Sequence, residues 1–130
     1  MDVPIGAVTR RFGLRPSTLH YWERRGLLTP RRRAGWRYYG EEEVFRIALI
    51  ATCRAVGLRV GEIAAVLDEA GAEPDWRTVV KARMVEMEEQ IAALTSARAY
   101  LDTLISCPLD AELHTCPDFR DNVASRWPAA

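Results

Sequence analysis

The chain has 130 residues, 18 Lys and Arg, 18 Asp and Glu, and a formal net charge of zero. This length fits one domain, or one small domain with an extension, and 48% apolar with 28% charged residues is ordinary for a folded protein. The sequence contains no run of about 18 apolar residues, so no membrane span is predicted. The first residues lack the basic-then-apolar layout of a signal peptide. A cytoplasmic location is therefore expected, and three cysteines argue against a secreted disulfide scaffold.

The zero net charge is the sum of two unlike halves. Residues 1–60 hold twelve arginines against five carboxylates, a surplus of seven positive charges. Residues 61–130 hold six basic and thirteen acidic residues, a surplus of seven negative charges. A GC-rich genome explains a preference for Arg over Lys, but it does not explain why the arginines collect at one end. The asymmetry indicates one part that binds a polyanion and another part with a different role.

The N-terminal apolar pattern predicts a helix-turn-helix. Apolar residues recur at helical spacing over residues 5–12, and Gly13 interrupts them as a turn residue would. A second helix begins near Ser17 or Thr18, which are candidate N-caps, and ends near Gly26. Two short helices joined by a turn that contains glycine are the layout of a helix-turn-helix.

A basic hairpin and two further helices are predicted next. Residues 31–39 combine an arginine run, a glycine and residues of high β propensity, which indicates a two-stranded wing. Gly40 and three glutamates then open a third helix, where the helix dipole favours acids, and Gly57 ends it. A fourth helix follows, and residues 71–75 have the composition of a linker.

A long helix is predicted from about Asp75 to Ser106. Apolar residues recur along it at alternating steps of four and three, a heptad seam that only Arg98 interrupts. The predicted dimerisation residues of this seam are Val80, Met84, Met87, Ile91, Leu94, Leu101 and Ile105. A helix of about 30 residues is about 45 Å long, too long for so small a globule to cover. We therefore expect a homodimer; the alternative is a long helix that packs on its own domain.

The candidate DNA-binding residues lie on the outer side of the second helix and on the wing. Hydroxyls, an imidazole and a phenol suit base edges or phosphates, and arginines suit phosphates or guanine. The candidates are Ser17, Thr18, His20, Tyr21, Arg24 and Arg25 on the helix, and Arg31, Arg32, Arg33 and Arg37 on the wing. A charged run can also be only a solvated surface. The helix-turn-helix pattern beside it favours double-stranded DNA, and such binding weakens steeply with salt.

Several segments of the basic half together form one signature: Thr18–Pro30, Gly35–Tyr39, the acidic start of the next helix, Pro4–Gly6 and residues 53–63. This combination resembles the N-terminal signature of the MerR family of transcription regulators. The resemblance covers roughly residues 2–106. It implies a mainly α fold with a winged helix-turn-helix domain, a long antiparallel coiled-coil dimerisation helix and a short C-terminal tail.

The resemblance also implies a mechanism and a set of contacts. Family members bind a palindromic promoter as homodimers and bend and undertwist it, so that RNA polymerase reads two widely spaced elements. By matching positions, the DNA contacts would be His20, Tyr21, Arg24, Trp36 and Arg37. His20 stands where many members have Arg, Trp36 replaces the usual Tyr, and the loop at residues 31–34 is shorter than in many members.

A cysteine pair follows the long helix. Cys107 and Cys116 are separated by eight residues, and each precedes a proline. Metal-sensing members of the family place a Cys pair with about this spacing just after the dimerisation helix. Two thiolates hold a soft or borderline metal ion, such as zinc or copper, and His114 is a candidate further ligand. Residues 73–75, where several such sensors add a ligand from the partner chain, contain no Cys, which argues against a three-thiolate site.

Other roles for the thiols stay open. Cys107 and Cys116 are also candidates for a redox switch, a structural zinc site, or two ordinary thiols in a packed tail. The iron–sulfur branch of the family needs a cluster of four cysteines, and the tail has two, so an iron–sulfur site is not expected. The third cysteine, Cys53, is expected to behave as a small buried apolar residue. About 24 residues after the long helix cannot enclose a drug-sized pocket by themselves.

The sequence therefore predicts three regions and one main function. Residues 1–72 form the DNA-binding domain, residues 73–106 the dimerisation helix, and residues 107–130 the effector loop and tail. The expected protein is a MerR-type transcription regulator that responds to a metal ion or a thiol-reactive signal. The alternative is an architectural, excisionase-like DNA-binding protein with no effector. An enzyme is not expected, because no triad, paired carboxylates or phosphate loop is present.

Overall fold

The computed structural model describes residues 1–67, 75–106 and 112–127. The chain forms two units, Met1–Met84 and Val85–Ala130. The elements are β1 (Val3–Pro4), α1 (Ile5–Phe12), α2 (Pro16–Arg24), β2 (Arg31–Arg33), β3 (Trp36–Tyr39), α3 (Glu41–Ala55), α4 (Val60–Val66), α5 (Trp76–Ile105), a 3-10 turn (Leu113–Thr115) and α6 (Pro117–Arg126). The expected fold class, a winged helix-turn-helix followed by a long C-terminal helix, is confirmed. None of the helices in the described ranges is long and apolar enough to cross a membrane.

Helices α1 and α2 form the helix-turn-helix. Gly13 ends α1 in the left-handed conformation, with a φ of 64° that favours glycine. Helix α2 begins at Pro16, because the first helical position does not need an N–H and suits the fixed φ of proline. The predicted N-cap at Ser17 or Thr18 is therefore wrong: Arg15 occupies the cap position, without a side-chain cap bond.

The sheet has three strands, whereas the sequence predicted two. Strands β2 and β3 form an antiparallel hairpin, and its turn residues Ala34 and Gly35 have φ angles of 50° and 81°. Two successive positive φ angles match the twist of a hairpin with a two-residue turn. Strand β1 lies on the other side of β3, with Val3 opposite Tyr39. A strand of two residues is too short to show the alternation of apolar and polar side chains from which a strand is predicted. Pro4 is tolerated in it because β1 lies at the edge of the sheet.

The core of the first unit orients α2. Its buried residues are Val8, Leu19, Trp22, Leu27, Leu28, Tyr39, Ile47, Ile50, Leu58 and Ile63. Leu19 and Trp22, the two buried residues of α2, are 0% and 3% exposed. Because they anchor one side of α2 in the core, the opposite side faces solvent.

The second unit contains most of α5 and a short helix that the sequence did not predict. Helix α6 forms over Pro117–Arg126, with proline in its first turn. Cys107 and nearly all of the predicted linker at residues 71–75 lie outside the described residues. The predicted boundaries at residues 72 and 106 stay predictions.

Candidate DNA-binding surface and C-terminal unit

The solvent side of α2 carries the predicted recognition residues. Ser17, Tyr21 and Arg24 are exposed, and Thr18 and His20 are half-buried. The Arg24 guanidinium lies 6.0 Å from the centroid of the Tyr21 ring, which makes these two side chains neighbours on the surface. The outer face of α2 therefore presents hydroxyl, imidazole and guanidinium groups to solvent, the donors and acceptors that base edges and phosphates can bond.

The three consecutive arginines of β2 are divided between two carboxylates. Arg31 and Arg33 both bond the carboxylate of Asp2, whose side chain is 7% exposed. Arg32 bonds Oε1 of Glu23 on α2 at 3.1 Å. Successive side chains of a strand point to opposite faces, so the alternation of β2 separates the first and third arginines from the second.

Glu23 also holds an arginine from β3. The Arg37 Nε donates to Oε2 of Glu23 at 2.7 Å, and both side chains are about a quarter exposed, at 25% and 22%. Arg37 lies directly opposite Arg32 in the register of the hairpin. One carboxylate of α2 thus bonds a cross-strand pair of the wing.

The electrostatics of Glu23 follow from these contacts. Burial by itself raises the pKa of Glu23, but the hydrogen bonds and charges of Arg37 and Arg32 outweigh it. The pKa of Glu23 therefore lies below its ordinary value of 4.5, and the carboxylate is ionised at neutral pH. Two of the wing's positive charges are partly neutralised in the absence of DNA.

Some arginines of the basic half have structural partners that the sequence did not indicate. The Arg46 Nε donates to the carbonyl of Leu27 at 2.6 Å, and Arg54 Nη1 donates to the carbonyl of Leu58 at 2.9 Å. Both arginines lie on α3 and bond turns of the first unit. Each guanidinium keeps its positive charge, because a carbonyl is neutral, but these contacts fix where the two side chains lie.

Trp36 stands at the start of β3, next to the hairpin turn. It is 68% exposed, so the wing presents a large apolar ring as well as guanidinium groups. The predicted contacts on α2 and the wing are thus all at least partly accessible. Their role in DNA binding remains a prediction.

The predicted seam of α5 is open to solvent in the single chain. Five of its seven residues are more than half exposed: Met84, Ile91, Leu94, Leu101 and Ile105. Val80 and Met87 are half-buried. A 30-residue helix with an apolar stripe of this kind favours burial against another surface.

The predicted metal ligands differ in their surroundings. Cys116 is 2% exposed and, with Tyr100, Thr103 and Phe119, lines a cavity of about 560 Å³. The His114 side chain is 74% exposed, and its Nε2 lies 3.4 Å from Oε2 of Glu112. Within residues 1–67, 75–106 and 112–127, no group of three His, Cys, Asp or Glu side chains is placed to hold a metal ion. The predicted pairing of Cys107 with Cys116 is untested, because Cys107 is not described.

Comparison with known proteins identifies the family. Residues 3–70 match the family model described as "MerR HTH family regulatory protein". The chain belongs to the MerR family. A second model, "MerR, DNA binding", matches residues 44–104, which run from α3 almost to the end of α5. The resemblance stated from the sequence is confirmed.

Curated MerR-family relatives are similar over most of the chain. The HTH-type transcriptional regulator HmrR of Rhizobium leguminosarum is 29% identical over 118 residues, which cover 87% of this chain and 92% of that protein. The HTH-type transcriptional activator SoxR homolog of Chromobacterium violaceum is 30% identical over 111 residues, covering 81% and 75%. The names of both relatives describe transcriptional regulators, and this MerR-family chain is a transcription regulator.

A solved structure has the same fold. The transcription regulator PbrR691 of Ralstonia metallidurans, crystallised in complex with lead(II), aligns with a TM-score of 0.71 and 21% identity. The alignment covers 92% of this chain and 98% of PbrR691. At this identity the likeness establishes the MerR fold of the chain.

Proposed function

We propose that the chain is a homodimeric regulator that binds double-stranded promoter DNA through α2 and the wing, and distorts it to control initiation by RNA polymerase. The observation that carries this proposal is the bond of Glu23 to Arg32 and Arg37. Because this carboxylate belongs to α2, the recognition helix and the wing form one surface. Backbone contacts from the wing and base contacts from α2 can then act on the same site.

The homodimer is supported by the seam of α5. A stripe of exposed Leu, Ile and Met on a helix of 30 residues buries apolar area when a second copy pairs with it. Two DNA-binding units joined in this way suit a palindromic site with two half-sites. A dimer that holds both half-sites can bend the DNA between them, and the deformation energy then acts as the control.

The DNA-binding part is tested by selection from a pool of random-sequence duplexes of about 30 base pairs, three helical turns. We expect the wild-type chain to recover a palindrome and to bend it, measured by energy transfer between dyes at the duplex ends. Arg37→Ala should weaken binding to all sequences and reduce the salt slope by about 1 for each phosphate that is no longer neutralised. The proposal is contradicted if the selection enriches no sequence and the binding of DNA does not depend on salt.

For the input signal, we propose a metal ion held by Cys107 and Cys116, with His114 as a further ligand. The donors fit a soft or borderline ion such as zinc or copper: Cys116 is buried at the start of α6, and His114 precedes it by two residues. The lead(II) complex of PbrR691, a protein of the same fold, supports a metal effector. The bound ion would cross-link the tail, and the thiol of Cys116 would anchor it beside α5.

Metal analysis of the purified protein tests this part. We expect the wild type to retain zinc or copper(I) after dialysis, and the double variant Cys107→Ser, Cys116→Ser to lose it while still binding DNA. Cys53→Ser is the matched control, because burial raises the pKa of the Cys53 thiol and its side chain packs against the core of the first unit. His114→Ala should weaken retention by about tenfold or more.

Reporter expression separates the remaining alternatives. If the double variant responds to metals and to oxidants as the wild type does, the chain has no thiol effector, and an architectural DNA-binding role is favoured. If the wild type responds to diamide but not to metal, Cys107 and Cys116 act as a redox pair. A response to metal that disappears only with these two cysteines supports the proposal.

A further inference from the structure

We propose that Glu23 is a positioning residue that sets the specificity of DNA binding, by holding Arg32 and Arg37 of the wing against the recognition helix. This inference rests on the proposed function, since it assumes that the wing meets DNA. Glu23 itself is not expected to contact DNA, because a carboxylate repels phosphate. It acts through the two arginines that it bonds.

The hairpin needs such a carboxylate. Arg32 and Arg37 are directly opposite each other in the antiparallel register, and like charges in that position destabilise a strand pair. Each oxygen of Glu23 accepts from one of them, Oε1 from Arg32 at 3.1 Å and Oε2 from Arg37 at 2.7 Å. The carboxylate therefore converts a cross-strand repulsion into a link between β2, β3 and α2.

The contacts leave the arginines able to bind phosphate. A guanidinium has five N–H donors, and the bonds to Glu23 use Nη2 of Arg32 and Nε of Arg37. The Arg32 side chain is 55% exposed, so its remaining donors are accessible. Because the two side chains are already oriented, less conformational entropy is lost when they bond phosphates at the correct register.

The same carboxylate lowers the affinity for DNA of any sequence. Non-specific binding depends on positive charge near the phosphates, and Glu23 offsets part of the charge of Arg32 and Arg37. The fixed geometry of the wing raises the affinity for the specific site. The affinity for random DNA mainly falls, because the carboxylate of Glu23 weakens the attraction of the two arginines to phosphates. Glu23 thus increases the ratio between the two affinities.

The test compares Glu23→Gln with Glu42→Gln. Both variants remove one negative charge from the first unit, but Glu42 lies exposed at the start of α3. Two probes are used: the duplex selected by the wild type from the random pool, and a random-sequence duplex of equal length. For Glu23→Gln we expect tighter binding to the random duplex and weaker binding to the selected one, a loss of about five- to tenfold in their ratio. For Glu42→Gln we expect the ratio to stay the same.

A double-mutant cycle shows whether Glu23 acts through the two arginines. In a chain that carries Arg32→Ala and Arg37→Ala, Glu23→Gln should no longer change the ratio of affinities. A merely structural role would make Glu23→Gln change the ratio in this background as well. Thermal unfolding and sedimentation of each variant establish that the compared proteins are folded dimers.

The outcomes distinguish this inference from the function on which it rests. If the wild type selects no sequence and its binding does not depend on salt, the proposed function fails. If the wild type selects a sequence but Glu23→Gln and Glu42→Gln change both affinities in parallel, the DNA-binding function stands and the role of Glu23 is overturned. A changed ratio that persists without Arg32 and Arg37 also overturns it.

Discussion

Arg83 of α5 donates from both Nε and Nη2 to Oε1 of Glu62 in α4, at 3.1 and 2.8 Å. The Arg83 side chain is 6% exposed, and the same oxygen of Glu62 accepts the backbone N–H of Arg59 at 2.8 Å. This carboxylate therefore caps α4 and holds the first turns of α5 at once. It is a polar connection, within the first unit, between α4 and the start of the long helix.

Arg83→Ala is expected to lower the free energy of unfolding by about 2–4 kcal/mol, because it leaves the Glu62 carboxylate without its main partner in a partly buried site. Urea unfolding at a fixed protein concentration measures this change. Lys81→Ala is the control, since it removes an exposed cation from the same helix and should change the value by less than about 0.5 kcal/mol. Equal effects of the two variants would contradict the importance of the buried pair.

Stability is expected to fall in acid, in the range below the ordinary carboxyl pKa of 4.5. The hydrogen bonds from Arg83 lower the pKa of Glu62, although burial by itself would raise it. Against the effect of burial, the hydrogen bonds and charges of Arg37 and Arg32 lower the pKa of Glu23 in the same way. Because the unfolded chain then takes up protons first, this stabilisation is complete above pH 4.5 and disappears as the pH falls through the lower folded values.

Urea unfolding between about pH 3 and pH 6 tests this pH dependence. Glu62→Gln and Glu23→Gln should each flatten the acid limb, whereas Glu42→Gln should leave its slope as in the wild type. If the slope is the same in all four proteins, the two ion pairs do not control the acid sensitivity.

Tyr39→Phe is expected to leave stability unchanged or raise it by up to about 1 kcal/mol. Tyr39 is fully buried, and its hydroxyl has no hydrogen-bond partner within the described parts of the chain. Burial raises the pKa of Tyr39, so the hydroxyl stays protonated and its removal abolishes a desolvation cost. The urea midpoint measures the effect, and a loss of more than about 1 kcal/mol would mean that the hydroxyl is bonded after all.

Leu94→Asp is expected to convert the dimer to a monomer, because it places a charge in the middle of the α5 seam. Leu94 is 69% exposed in the single chain, so the substitution should leave the fold of one protomer intact. Sedimentation equilibrium distinguishes the two states. Gln90→Asp adds the same charge to an exposed position off the seam and should remain dimeric; a dimeric Leu94→Asp variant would contradict the predicted seam.

Much of this architecture follows from local signals in the chain. Gly13 and Gly26 mark the ends of the first two helices, and the long helix predicted from about Asp75 to Ser106 matches α5 to within one residue at each end. These features were predictable because helical period, turn glycines and caps depend on residues a few positions apart. The two-residue strand β1 and the short helix α6 gave no such period, and the sequence missed both.

The sequence by itself determined that the N-terminal half is basic and helix-turn-helix in pattern, that a long amphipathic helix follows, and that the signature is that of the MerR family. Only the tertiary structure decided which arginine of the wing pairs with which carboxylate. Asp2 reaches Arg31 and Arg33, and Glu23 joins Arg32 to Arg37, across 9 to 31 positions of the chain. Such partners depend on how strands and helices pack in space, which no local spacing records, and they divide one arginine run between two carboxylates.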